Sequence, residues 1–153
     1  MRFKQIEDIL DWVIQFHVDL EVKYRELEDG TEKERVALLL DYLADHEHNL
    51  ADAIKRYKND DASTRLLSTW FNQMPEVNYP ERLAALSQRL SGGGTSEVVS
   101  MAIECHDLLI DVYKNLEASN DTPSSKALFQ SLIAMEEHEK IRMVRDAARL
   151  EDL

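Results

Sequence analysis

The chain has 153 residues, 44% apolar and 31% charged, with 30 acidic against 18 basic side chains and a formal charge of −12. That length suffices for one domain with its own core, and the acidic balance opposes phosphate backbones, which argues against nucleic acid as a partner. No apolar run approaches the roughly 18 residues of a membrane span, and the start "MRFKQIEDILDW" has acids where a signal peptide carries its apolar stretch, so a cytoplasmic protein with no membrane partner is expected.

In chain order, the first predicted helix covers about 3–28, with Ile6, Ile9, Leu10, Val13, Leu20 and Tyr24 on one side. It is expected to stop at "EDGT", where Gly30 can take a left-handed cap. The second covers about 32–57 and ends before "KNDDAS". A crossover at about 58–95 follows, in which "STRLLSTWFNQM" and "PERLAALSQRL" read as short helices and Trp70 and Phe71 are expected to pack over one end of the bundle. The third helix covers about 96–119, capped by Thr95 or Ser96, and the fourth about 123–150, with Pro123 in its first turn. No stretch has the period-two pattern of a strand.

The short loops inside each pair imply antiparallel neighbours, and the long connection can carry the chain across the bundle. The expected architecture is therefore all-α: a four-helix up-down bundle of two hairpins, with residues 1–153 as a single domain. Cys105 is the one cysteine, which excludes an internal disulfide and a cysteine-based zinc site, and it is expected to be a packing residue. Serine-hydrolase, P-loop and dinucleotide fingerprints are absent.

The two hairpins resemble each other. "FHVDLEVKYREL" at 16–27 and "CHDLLIDVYKNL" at 105–116 match His17 with His106, Leu20 with Leu109, Tyr24 with Tyr113 and Leu27 with Leu116, an offset of 89. Setting "VALLLDYLADHEH" on "KALFQSLIAMEEH" matches Glu47 with Glu137 and His48 with His138. Four of the five histidines thus fall at paired places, and neutral imidazole is the commonest protein ligand for metals.

On these residues the chain resembles the ferritin-like superfamily, and within it the rubrerythrin-like proteins. That family joins two helical hairpins by a long crossover. Its first and third helices each supply a glutamate about seven residues before a tyrosine, and its second and fourth each supply Glu-x-x-His. His17 and His106 stand at the glutamate places, with Tyr24 and Tyr113 in the usual relation. Asp45 and His48 form Asp-x-x-His, and Met135 with His138 holds that register on helix four.

The resemblance implies a metal centre in the bundle, with His17, Asp45, His48, His106 and His138 converging there, Glu21 as a candidate further ligand, and Tyr24 and Tyr113 beside it. Iron is the implied metal, and the same nitrogen and oxygen donors suit zinc, manganese or copper. Because Glu21 and Asp41 have Ile110 and Ser131 as counterparts, the metal is expected nearer helices one and two. Glu136 and Glu137, turned about 100° and 200° from Met135, are not expected to replace a carboxylate there. Asp41 and Asp52 read as a solvated edge, and His46 is expected to face solvent or a neighbouring subunit.

The implied function is a metal-binding bundle acting on iron, oxygen or peroxide as an oxidoreductase. The alternative is a non-catalytic dimerising or adaptor protein that has lost the di-iron site, which Met135 and Ile110 favour. A homodimer is expected from apolar residues outside the metal-facing strip, including Leu39, Leu40 and Phe129.

Overall fold

A computed structural model of the chain describes residues 5–60, 64–68, 81, 84, 85, 88, 93–119 and 122–152. Four long helices carry the fold: α1 (Ile6–Gly30), α2 (Glu34–Lys58), α3 (Thr95–Ala118) and α4 (Pro123–Glu151). A short helix, Thr64–Leu67, begins the crossover, and there is no strand among the described residues. Trp70, Phe71, the start at Phe3 and most of the second short crossover helix lie outside the described residues.

Three of the four helices begin at a local signal. At α1 the Gln5 N–H donates to Asp8 at 2.9 Å, and at α3 the Gly94 N–H donates to Glu97 at 2.9 Å. In both cases an acid in the first turn satisfies an end group and sits at the positive end of the helix. The α3 cap is therefore Gly94 rather than Thr95 or Ser96. Pro123 opens α4 as expected. Gly30 is the last residue of α1, without a left-handed backbone, and the chain leaves the helix through an extended Thr31.

The pairs are antiparallel hairpins. Arg25 near the end of α1 meets Asp41 and Asp45 near the start of α2, each at 2.8 Å, while Lys58 at the end of α2 meets Asp11. In the second pair Gln130 donates to Glu117 at 2.8 Å and Lys140 pairs with Asp107 at 2.5 Å. The two hairpins do not continue the alternation. Tyr42 meets Asp146 and His46 meets Glu139, so α2 and α4 run antiparallel and α2 and α3 run in the same direction.

This order is why the crossover is long. The start of α3 lies by the start of α2, where the Lys33 ammonium reaches the Gly93 carbonyl at 3.5 Å, so the chain must return the length of the bundle after Lys58.

The core is the inward stripe of each helix, with Ile6, Leu10, Val13 and Leu20 of α1 facing Leu43, Ala102, Leu109 and Phe129 in one cluster. Leu39, Leu40 and Phe129 are buried in it, so the residues that suggested a dimer face instead pack within the chain. Cys105 is buried there too, as a packing residue. Among the described residues no helix is long and apolar enough to cross a membrane.

Candidate functional site

Four ionisable side chains meet in the middle of this core, one from each long helix: His17, Glu47, His106 and Glu136, all buried. They form a closed ring. His17 uses Nδ1 toward Glu47 Oε2 at 2.5 Å and Nε2 toward Glu136 Oε1 at 3.2 Å. His106 mirrors it, with Nδ1 toward Glu136 Oε2 and Nε2 toward Glu47 Oε1 at 2.8 Å. Exchanging the two hairpins leaves the pattern unchanged, and the imidazole centroids stand 6.0 Å apart.

Local spacing puts each group there. His17 shares its helix face with Val13, Leu20 and Tyr24, and Glu47 lies in a stripe with Leu40, Leu43, Ala51 and Ile54. Glu136 sits in the corresponding stripe of Phe129, Leu132 and Met143. The packing of these apolar neighbours brings the polar groups inward, and each nitrogen and each carboxylate oxygen then has a partner.

Burial alone would strip the charge from all four. Burial lowers the pKa of His17, but Glu47 and Glu136 together outweigh it and hold it at about 9. His106 is likewise raised well above the usual imidazole value against its burial, by the same two carboxylates. Burial would raise Glu47, yet His106 and His17 outweigh it and bring it to about 2, and Glu136 is lowered in the same way. The ring therefore holds two imidazolium cations and two carboxylates, with no net charge.

Two phenols complete the environment. The hydroxyls of Tyr24 and Tyr113 are buried without a hydrogen-bond partner. Burial, then the nearby Glu47, raises the pKa of Tyr24; burial, then Glu136 and Glu47, raises that of Tyr113. Both stay neutral and available as donors beside the carboxylates.

Of the residues singled out in the sequence, His17, His106, Tyr24 and Tyr113 are in the core, and the others are not. Asp45 is 63% exposed and bound to Arg25. His48 is 56% exposed, between Glu21 and Asp52 at 3.2 Å each, and His138 is exposed. Glu21 serves His48 rather than the centre. The expected bias toward α1 and α2 is absent from a ring drawn equally from all four helices. His46, expected to face solvent or a neighbouring subunit, donates from Nδ1 to the Glu139 carboxylate at 2.6 Å beside the ring of Tyr42.

The missed residues are Glu47 and Glu136, and the cause is one position of register. Matching Glu47 and His48 to Glu137 and His138 uses an offset of 90, whereas the first helices use 89. An offset of 89 carries the start of α1 at Ile6 to that of α3 at Thr95, and the start of α2 at Glu34 to that of α4 at Pro123. It pairs Glu47 with Glu136, and the equal separation of 30 in His17–Glu47 and His106–Glu136 was the available signal. A slip of one residue turns a helix by about 100°, which is enough to exchange a buried carboxylate for a surface one.

Elsewhere, a cavity of about 520 Å³ opens beside Leu10, Ile54, Leu66, Leu132 and Met135, apolar apart from Tyr57, Ser124 and Ser131, and it does not reach the ring. Among the described residues, no three His, Cys, Asp or Glu side chains stand as a ready-made metal cage; those of the ring are bonded to one another. No protein-family model, characterised protein or solved structure matches the chain.

Proposed function

We propose that this is a metal-binding bundle protein in which Glu47 and Glu136 would supply oxygen ligands, and His17 and His106 nitrogen ligands, to a divalent transition metal. The observation that carries the reading is the buried ring itself: two imidazoles and two carboxylates from four different helices, with two unpaired phenols beside them. Such a group is poor value as stability, because buried ion pairs are matched or exceeded by well-packed apolar residues. Its donor set suits iron, zinc, manganese or copper.

The ferritin-like resemblance reads differently at the offset of 89. His17 and His106 stand in place of the glutamates of the first and third helices, Glu47 and Glu136 at the glutamates of the two Glu-x-x-His motifs, and Leu50 and Glu139 at their histidines. Iron, and with it an oxidoreductase acting on oxygen or peroxide, follows from that resemblance. A redox-active metal would supply electron transfer. The chain's part is to expel two imidazolium protons on loading, exclude water, and offer Tyr24 and Tyr113 as hydrogen-bond donors.

The second reading, a bundle serving as an adaptor, is favoured by one observation: the ring satisfies all its own hydrogen bonds. Elemental analysis of protein purified without added metal or a polyhistidine tag separates the two. Near-stoichiometric metal that is lost in a His17→Ala/His106→Ala variant is the expected result. The same content in both, or none in the wild type, overturns the metal reading in favour of the adaptor.

A further inference from the structure

We propose that the cavity of about 520 Å³ at one end of the α2–α4 seam is a binding site for an uncharged, largely apolar small molecule carrying one hydroxyl or carbonyl group. Its volume falls within the roughly 300–1,000 Å³ of small-molecule sites, which are apolar with a few placed polar groups. Leu10, Ile54, Leu128 and Leu132 line it and are buried, whereas Ala53 and Ser131 line it and are exposed, so it has an apolar floor and an open mouth. No Asp, Glu, Lys, Arg or His is among the described residues that line it. An ionised group would therefore leave water without a partner, while an apolar body would leave water favourably. The hydroxyls of Tyr57, Ser124 and Ser131 are the groups that can orient a single polar end.

The duplication supplies an internal control. The seam between α2 and α4 maps onto itself at the offset of 89, so its two ends are equivalent places in the fold. There the cavity residues Ala53, Tyr57, Ser131 and Met135 correspond to Arg142, Asp146, Tyr42 and His46. Those counterparts occupy the opposite end with side chains. The Tyr42 ring lies against His46 with centroids 4.2 Å apart, its hydroxyl donates to Asp146 at 2.5 Å, and Arg142 stands 3.7 Å from Glu139. At the cavity end a serine takes the place of that tyrosine and an alanine that of the arginine. The same two helices carry bulky, bonded side chains at one end and small ones at the other, so the opening comes from these substitutions and not from the helix packing. The exchange also removes charge, because Met135 and Tyr57 stand where the twin has an imidazole and a carboxylate. What is left is an apolar recess where its twin is a polar cluster.

Fluorescence titration of the full chain with N-phenyl-1-naphthylamine, a neutral probe that brightens in apolar surroundings, tests the site. Expected is saturable binding of one probe per chain. Ser131→Tyr copies the twin, where Tyr42 lies against the residue four positions on, and so lays a ring over Met135 inside the cavity. It should weaken binding by roughly tenfold or more, about what the loss of two buried methylene groups costs. Ala53→Met, which fills from the α2 wall, should do the same and carries the test if Ser131→Tyr does not fold. Ile141→Ser, which removes an apolar side chain that is 66% exposed outside the cavity, should leave binding unchanged. The neutral alcohol 1-decanol should displace the probe at concentrations at least roughly tenfold below those of decanoate or decylammonium, whose charges find no partner there. Absence of saturable binding, or wild-type binding in the filling variants, overturns the site, and equal displacement by decanoate overturns the uncharged class. A dimer in sedimentation that excludes the probe and that Ser131→Tyr dissociates would make the occupant a second copy of the chain, and overturns the small-molecule reading.

Discussion

At the scale of single residues, the ring is expensive to break and cheap to replace. Glu47→Gln leaves two imidazolium groups facing one carboxylate in the core and is expected to cost about 3–5 kcal/mol in denaturant unfolding. Replacing His17, Glu47, His106 and Glu136 together by apolar residues of similar volume should be neutral or stabilising by about 1–4 kcal/mol. The same charges set a pH window for the folded protein. His17 is raised from 6.5 to about 9, so its contribution is complete below 6.5 and disappears as pH rises through 9. Glu47 is lowered from 4.5 to about 2, so its contribution is complete above 4.5 and disappears as pH falls toward 2. The Tm of the wild type relative to the apolar ring variant should therefore be highest between pH 4.5 and 6.5 and fall further behind on both flanks. A difference that stays constant from pH 5 to 10 would refute the doubly charged ring.

At the scale of the helix, the duplication extends to the way the elements begin. Asp8 and Glu97 close the first turns of α1 and α3 through the same bond, from equivalent positions. Each is expected to contribute about 0.3–1 kcal/mol, so Asp8→Ala and Glu97→Ala should each lower stability by that amount. α1 and α3 run in opposite directions, so the two starts lie at opposite ends of the bundle and the double variant should show the sum of the single losses. A double variant no less stable than either single one would mean that these ends fray in the folded protein. The same spacing argument explains the exposed histidines: His48 follows Glu47 by about 100°, so a helix that buries one turns the other outward.

At the scale of the molecule, the ring is the buried polar link between the hairpins, with Tyr42–Asp146 and His46–Glu139 as further polar contacts between α2 and α4. Two of its bonds stay within a hairpin, His17–Glu47 and His106–Glu136, and two cross between them, His17–Glu136 and His106–Glu47. A double-mutant cycle on His17 and Glu136 should return a coupling of about 0.5–3 kcal/mol, although the residues lie on different hairpins. Additive losses would show that the ring's bonds do not couple the two hairpins. The opposite run of α2 and α4 makes the exchange of hairpins a symmetry of the ring, and the long crossover makes that run possible.

Much of this was written in local patterns. Helix starts, the apolar stripes, Pro123, the offset of 89 and the inward placing of His17, His106, Tyr24 and Tyr113 depend on spacing within one element, and spacing is a property of the sequence. Which acids would meet those histidines was a different kind of fact. Glu47 is next to His48 and Glu136 next to Glu137, and identical letters drew the second helices one residue out of register. The partners of His17 lie 30 and 119 positions away, on α2 and α4. Their meeting was decided by how the apolar stripes of four helices pack, because a helix turns about 100° per residue and only packing settles which of two adjacent acids faces the core.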